Sequence, residues 1–202
     1  KHGIIHNKFY QPHISEQYSL GAGKKNSAWL TAKPFWSFAE ENNVTTAVYF
    51  WPESEVIGQG SQPSYNIPYN KTDSEKKQFD QIINWLKLPK EHAPQFVVSY
   101  FTSIDDAGHR YGLDSKELSQ AIAEIDELFG SFISHLQQEI ALNVNVILVS
   151  DHGMMQINKK KHIDLSEVFN EKVTELIIKK SIILAESNTQ LYLYFNQGKL
   201  SN

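Results

Sequence analysis

An α/β fold, a mostly parallel sheet with helices on both faces, is predicted for this 202-residue chain by three observations. Helical and strand-like stretches alternate through its middle, an order that implies right-handed crossovers. Two runs, QFVVSYF at residues 95–101 and NVILVS ending at Ser150, are apolar enough for strands covered on both faces. Each run ends where a polar motif begins, and ligands in such sheets collect beyond the C-terminal strand ends.

The elements follow in order. Residues 33–43 form an aromatic-rich helical segment opened by Pro34, and the β-branched and aromatic residues at 44–50 favour a strand. Thr72 with Glu75 three residues later fits a capping box, and Phe79, Ile82, Ile83 and Leu86 mark the buried stripe of a helix over 73–86. Residues 95–101 follow as a strand. Asp114 and Glu117 fit a second capping box, ahead of a long amphipathic helix carrying Leu118, Ile122, Ile125, Phe129, Phe132, Leu136 and Ile140. Residues 144–150 are predicted as another buried strand.

Beyond Met155, Lys159, Lys160 and Lys161 suit a solvated loop and residues 164–169 a short helix. Residues 181–184 and 190–195 read as strands joined by the polar turn Glu186-Ser187-Asn188. No internal repeat, low-complexity tract or linker divides the chain, so residues 1–202 are expected to form one domain, incomplete as it stands. A start at Lys1-His2-Gly3 without methionine is what a processed or partial protein would show.

Composition narrows the chemistry. A hydrophobic fraction of 41% and a charged fraction of 21% are those of an ordinary globular protein. The formal charge of −4 gives no broad attraction for polymeric nucleic acid or anionic membrane, so any phosphate binding must be local. With no cysteine, a disulfide scaffold and a thiolate zinc site are excluded, and His, Asp and Glu are the strong metal ligands left. No apolar stretch approaches the roughly 20 residues that span a bilayer.

Two motifs carry candidate chemistry. Asp105-Asp106-Ala107-Gly108-His109 sets a carboxylate and an imidazole four positions apart, with small residues that let the backbone curl around an ion. A solvated turn is the alternative, and Asp106 rivals Asp105. Ser150-Asp151-His152-Gly153-Met154 puts an ionisable pair directly after an apolar strand, as a site or as a capped turn in which His152 donates to a carbonyl. Together the segments offer two carboxylates and two imidazoles, enough for one tetrahedral zinc or half of two. His92, His135 and His162 fit exposed positions, and His2 and His6 are not expected to be ligands.

HGIIHNKFYQP at the start, the spaced Trp29 and Trp36, YFWPESEV from Tyr49, Pro68-Tyr69-Asn70, INWLKLP, D-x-x-G-H and SDHGM resemble successive blocks of the nucleotide pyrophosphatase/phosphodiesterase family. This is a family of the alkaline phosphatase superfamily. The likeness covers residues 2–165, in the family's order, and implies an internal piece of an alkaline phosphatase-like catalytic domain. By motif position it implies Asp105 and His109 as ligands of one zinc, and Asp151 and His152 as ligands of a second. Trp51 and Tyr69 match aromatics near the nucleotide base or other leaving group.

The resemblance further implies a two-zinc hydrolase of phosphodiester or pyrophosphate bonds in small nucleotide-like substrates. A covalent intermediate would form on a threonine or serine outside this chain, together with the remaining ligands. The chain alone is therefore expected to be inactive. A secreted or periplasmic parent is implied; the oligomeric state is not. Ser103-Ile104 ahead of the ligand aspartate and Glu53 after Trp51-Pro52 depart from the family pattern without touching the ligands. Alternative readings are a lipid or choline-phosphate phosphodiesterase, a phosphonate hydrolase, or a binding module without catalysis.

Overall fold

Aromatic residues directly opposite each other on facing strands organise the start of the chain. In the computed structural model, described for all residues except Lys1, Lys25, 57–59, Lys159, His162, 188–189 and 197–202 and the side chain of Ser187, β1 (Lys8–Gln11) pairs antiparallel with β2 (Glu16–Ser19). Phe9 lies opposite Tyr18 in the ladder, their rings stacked at 4.9 Å, and Trp29 meets both edge-on. All three rings are buried. Two compact units are present, Lys1–Ala32 with Asn158–Asn202 and Lys33–Ile157.

The unit Lys33–Ile157 holds the α/β part. Pro34, in extended backbone, precedes α1 (Phe35–Glu41), and β3 (Thr46–Tyr49) follows with all four residues buried. It is the central strand of a parallel sheet, between β4 (Tyr65–Ile67) and β5 (Phe96–Ser99), so Ala47 faces Tyr65 on one side and Val97 on the other. Burial on both faces is why this strand contains no polar alternation.

Glu40 fastens α1 to the sheet. One carboxylate oxygen accepts from the Thr46 N–H at 2.7 Å, the Thr46 hydroxyl at 2.6 Å and the Ser64 N–H at 2.9 Å, while the other accepts from the Ser64 hydroxyl. Burial works against the charge, but these four donors outweigh it and hold the carboxyl below its ordinary range.

The predicted stripe of α2 (Glu75–Leu86) is as expected: Phe79, Ile82, Ile83 and Leu86 join Ala47, Tyr49, Trp85, Phe132 and Leu136 in the core. The last two belong to α4 (Lys116–Glu139), which α3 (Ser103–Tyr111) precedes. Both cap assignments need correction. The N-caps are Ser74, accepting from the Lys77 N–H, and Ser115, accepting from the Leu118 N–H. Thr72 instead bonds the Asn70 side chain.

The strand predicted over 144–150 is the larger correction: these residues belong to no helix or strand and pair with none of the described strands. Ile147 is 84% exposed and Val149 78%. A strand exists only where a neighbour satisfies its N–H and C=O groups, and apolar side chains alone do not supply that ladder.

The first unit is completed by α5 (Leu165–Val168), capped by Asp164, by α6 (Glu171–Ile178), and by the antiparallel pair β6 (Ile182–Ser187) and β7 (Gln190–Phe195). The predicted hairpin is thus present, with β6 running further than expected and Asn188 outside the described residues. His162 also lies outside them. Among the described residues, no helix is long and apolar enough to cross a membrane.

Candidate metal and substrate site

Three residues separate β5 from α3, which converts the D-x-x-G-H segment from the expected curled loop into a helix. Asp105 and His109 then stand one turn apart on the same face. His109 Nε2 lies 3.4 Å from Asp105 Oδ1, an atom shielded from solvent that accepts no hydrogen bond from the described residues. His109 faces Asp105 rather than its rival Asp106. Gly112, at φ 91°, ends the helix with its N–H on the Gly108 carbonyl, a left-handed stop that favours glycine.

Asp151 and His152 form the second pair, with His152 Nε2 3.6 Å from Asp151 Oδ2. The His152 ring places Nδ1 3.0 Å from the Gly153 carbonyl. That bond forms when Nδ1 carries the proton, which leaves the Nε2 lone pair available to a cation. Local bonds shape the turn: the His152 N–H donates to Asp151 Oδ1 at 3.0 Å, and the Ser150 hydroxyl donates to the His152 carbonyl.

The two motifs touch. A Cβ added to Gly108 would fall 2.7 Å from the Met154 sulfur, so the glycine of the first motif admits the methionine of the second. Tyr100, the first residue after β5, donates its hydroxyl to Asp151 Oδ2 at 3.0 Å. Burial, the Asp151 bond and the charges of Asp151, Asp105 and Asp106 push this phenol up to about 12, so it remains a donor at neutral pH.

Aromatic rings continue from there. Tyr100 meets Phe50 at 6.0 Å and Trp51 at 6.2 Å, both edge-on, and Tyr69 stacks on Phe50 at 3.9 Å. Trp51 and Tyr69, the residues expected to bind substrate, therefore flank the rings beside Asp151. Tyr69 is 48% exposed. The cavity of about 190 Å³ between α2 and α4, lined by Phe79, Ile83, Phe132 and His135, contains none of these residues.

The donor set suits zinc in part. Bonds of about 2.0–2.1 Å in a tetrahedron separate neighbouring ligand atoms by roughly 3.3–3.4 Å. The two carboxylate–imidazole separations, 3.4 and 3.6 Å, are close to that edge and too long for ordinary hydrogen bonds. Each pair accordingly fits two corners of a site. Among the described residues, no group of three or more His, Cys, Asp or Glu could hold a metal ion, so neither pair is a closed site by itself.

The type I phosphodiesterase/nucleotide pyrophosphatase family matches residues 1–199. The chain belongs to this family. It is 36% identical over 173 residues to an uncharacterized pyrophosphatase/phosphodiesterase of Schizosaccharomyces pombe, covering 84% of this chain and 36% of that protein. It is 35% identical to venom phosphodiesterase 2 of Crotalus adamanteus, across 84% of this chain and 21% of that one. Murine ectonucleotide pyrophosphatase/phosphodiesterase 5 superposes with a TM-score of 0.80 at 25% identity, over 98% of this chain and 52% of that one.

An inactive variant of the same mouse protein in complex with AMP matches equally well. The alkaline phosphatase-like α/β fold is thereby shown. The chain spans about half of the mouse structure and about a third of the yeast relative's length.

Sequence reasoning missed Tyr100, whose only signal was its position at the C-terminal end of an apolar run. It also missed Glu40, a carboxylate inside an aromatic-rich helix with no motif around it.

Proposed function

We propose that this chain is part of the catalytic domain of a two-zinc phosphodiesterase or nucleotide pyrophosphatase, acting on small nucleotide-like substrates. The observation that carries the reading is the pair of carboxylate–imidazole edges on two touching motifs in a chain of this family. Asp105 and His109 would hold one ion, Asp151 and His152 the other. When bound, zinc supplies Lewis-acid stabilisation of anionic phosphate oxygens and lowers the pKa of an oxygen nucleophile.

The chain's own groups prepare that chemistry. Asp105 and Asp151 provide the negative charge that draws a cation, His152 is held in one tautomer by its Nδ1 contact with the Gly153 carbonyl, and α3 keeps Asp105 and His109 in register. Trp51 and Tyr69 offer flat apolar faces to a base or a cationic leaving group. The AMP complex of the mouse relative supports a nucleotide-like ligand for the parent. With a net charge of −4, polymeric nucleic acid is not the expected substrate. The venom and ectonucleotide relatives support a parent that works outside the cytoplasm.

Zinc measurement tests the reading. The full-length parent protein, purified without chelator, should contain zinc, and Asp105→Asn and Asp151→Asn made in it should each weaken one site by at least roughly tenfold. Equal zinc binding by the variants and the unmutated parent protein would refute the ligand assignment.

A further inference from the structure

We infer that Tyr100 is a positioning residue that holds Asp151 in its metal-binding orientation and couples it to the aromatic wall. The inference rests on the zinc reading above. Three features support it. The Tyr100 backbone is fixed to the sheet, its N–H donating to the Tyr49 carbonyl at 3.3 Å directly after β5. Its ring is braced edge-on by Phe50 and Trp51. Its hydroxyl reaches across 51 positions of sequence to Asp151 Oδ2.

The bond is selective in what it leaves free. A carboxylate has about four lone-pair sites. Oδ1 takes the His152 N–H and Oδ2 takes the Tyr100 hydroxyl, so each oxygen keeps a lone pair for a cation. Asp151 itself is in a segment without helix or strand, and its side chain is 55% exposed. The rigid partner in the contact is therefore Tyr100. A ring displaced by a base lying against Trp51 would move the hydroxyl that aims Asp151, which links substrate occupancy to the ligand.

Zinc affinity of the full-length parent protein, measured by competition with a chromophoric chelator, separates this role from simple packing. Tyr100→Phe keeps the ring and removes the hydroxyl, and it should weaken zinc by about ten- to a hundredfold, the usual effect of losing an outer-shell partner. In an Asp151→Asn background the same change should have no further effect. Tyr49→Phe is the control: it deletes another buried hydroxyl, one donated to Asp73, and should leave zinc affinity unchanged.

An unchanged affinity in Tyr100→Phe, with zinc lost in Asp151→Asn, would overturn the inference and leave the function standing. So would equal weakening by Tyr100→Phe and Tyr49→Phe, which would mark a loss of fold. If Asp151→Asn binds zinc as the unmutated parent does, the site reading fails and takes the inference with it.

Discussion

Two apolar runs of nearly the same character meet different fates. Residues 96–99 become β5 because β3 lies beside them, with Thr46 opposite Phe96 and Tyr49 opposite Ser99. Residues 145–150, at least as rich in Val, Ile and Leu, acquire no ladder among the described residues and leave Ile147, Leu148 and Val149 largely exposed. Each run delivers a Asp/His pair at its end, one on a nine-residue helix and the other on an irregular turn. Strand character is written in side chains, but strand formation is a property of two segments at once.

That contrast can be broken by hydrogen exchange. Amides of β3 and β5 should exchange slower than those of 145–150 by roughly three orders of magnitude, the ratio that about 4 kcal/mol of opening free energy gives. Equal protection would mean that 145–150 is paired in solution. Side-chain deletion sharpens the same comparison: Val48→Ala, at a fully buried position, should cost about 2 kcal/mol in denaturant unfolding. Val149→Ala, at a position 78% exposed, should stay within about 0.5 kcal/mol.

The legible parts of the fold were those decided locally. The stripe Phe79, Ile82, Ile83 and Leu86 names the buried face of α2 because helix periodicity needs no partner to be read. The pairs Asp105–His109 and Asp151–His152 were legible from spacing, yet the reason for Gly108 was not. The glycine suggested a curled loop, whereas it sits inside α3 and makes room for Met154, a residue 46 positions later. Tyr100 was hidden for the same reason: within QFVVSYF it reads as one more apolar position, and its role depends on where Asp151 comes to lie.

Glu40 extends the comparison to the start of the sheet, where polar bonds secure β3, whereas 145–150 has no strand partner among the described residues. Glu40→Gln puts a donor where an acceptor is needed and should cost on the order of 1–2 kcal/mol at neutral pH. The sign with pH follows from the lowered native pKa. The stabilisation is complete above the ordinary glutamate range and is lost as pH falls through the lower native value. Unfolding curves of the variant and the unmutated chain should therefore converge in acid; a gap that persists there would show that the charge is not what Glu40 contributes.

Helix caps give the smallest effects and the finest test of local reading. Capping-box spacing pointed to Thr72 and Asp114, but the hydroxyls that accept from the first turns belong to Ser74 and Ser115. Both serines precede a helix by one residue in extended backbone, the geometry an N-cap requires, while Thr72 is occupied in a turn with Asn70. Ser74→Ala and Ser115→Ala should each lower stability by about 1 kcal/mol in chemical unfolding. Asp114→Ala should change it by less than about 0.5 kcal/mol, because the first turn of α4 keeps its acceptor. The reverse ranking at α4 would return the cap to Asp114 and move the start of the helix with it.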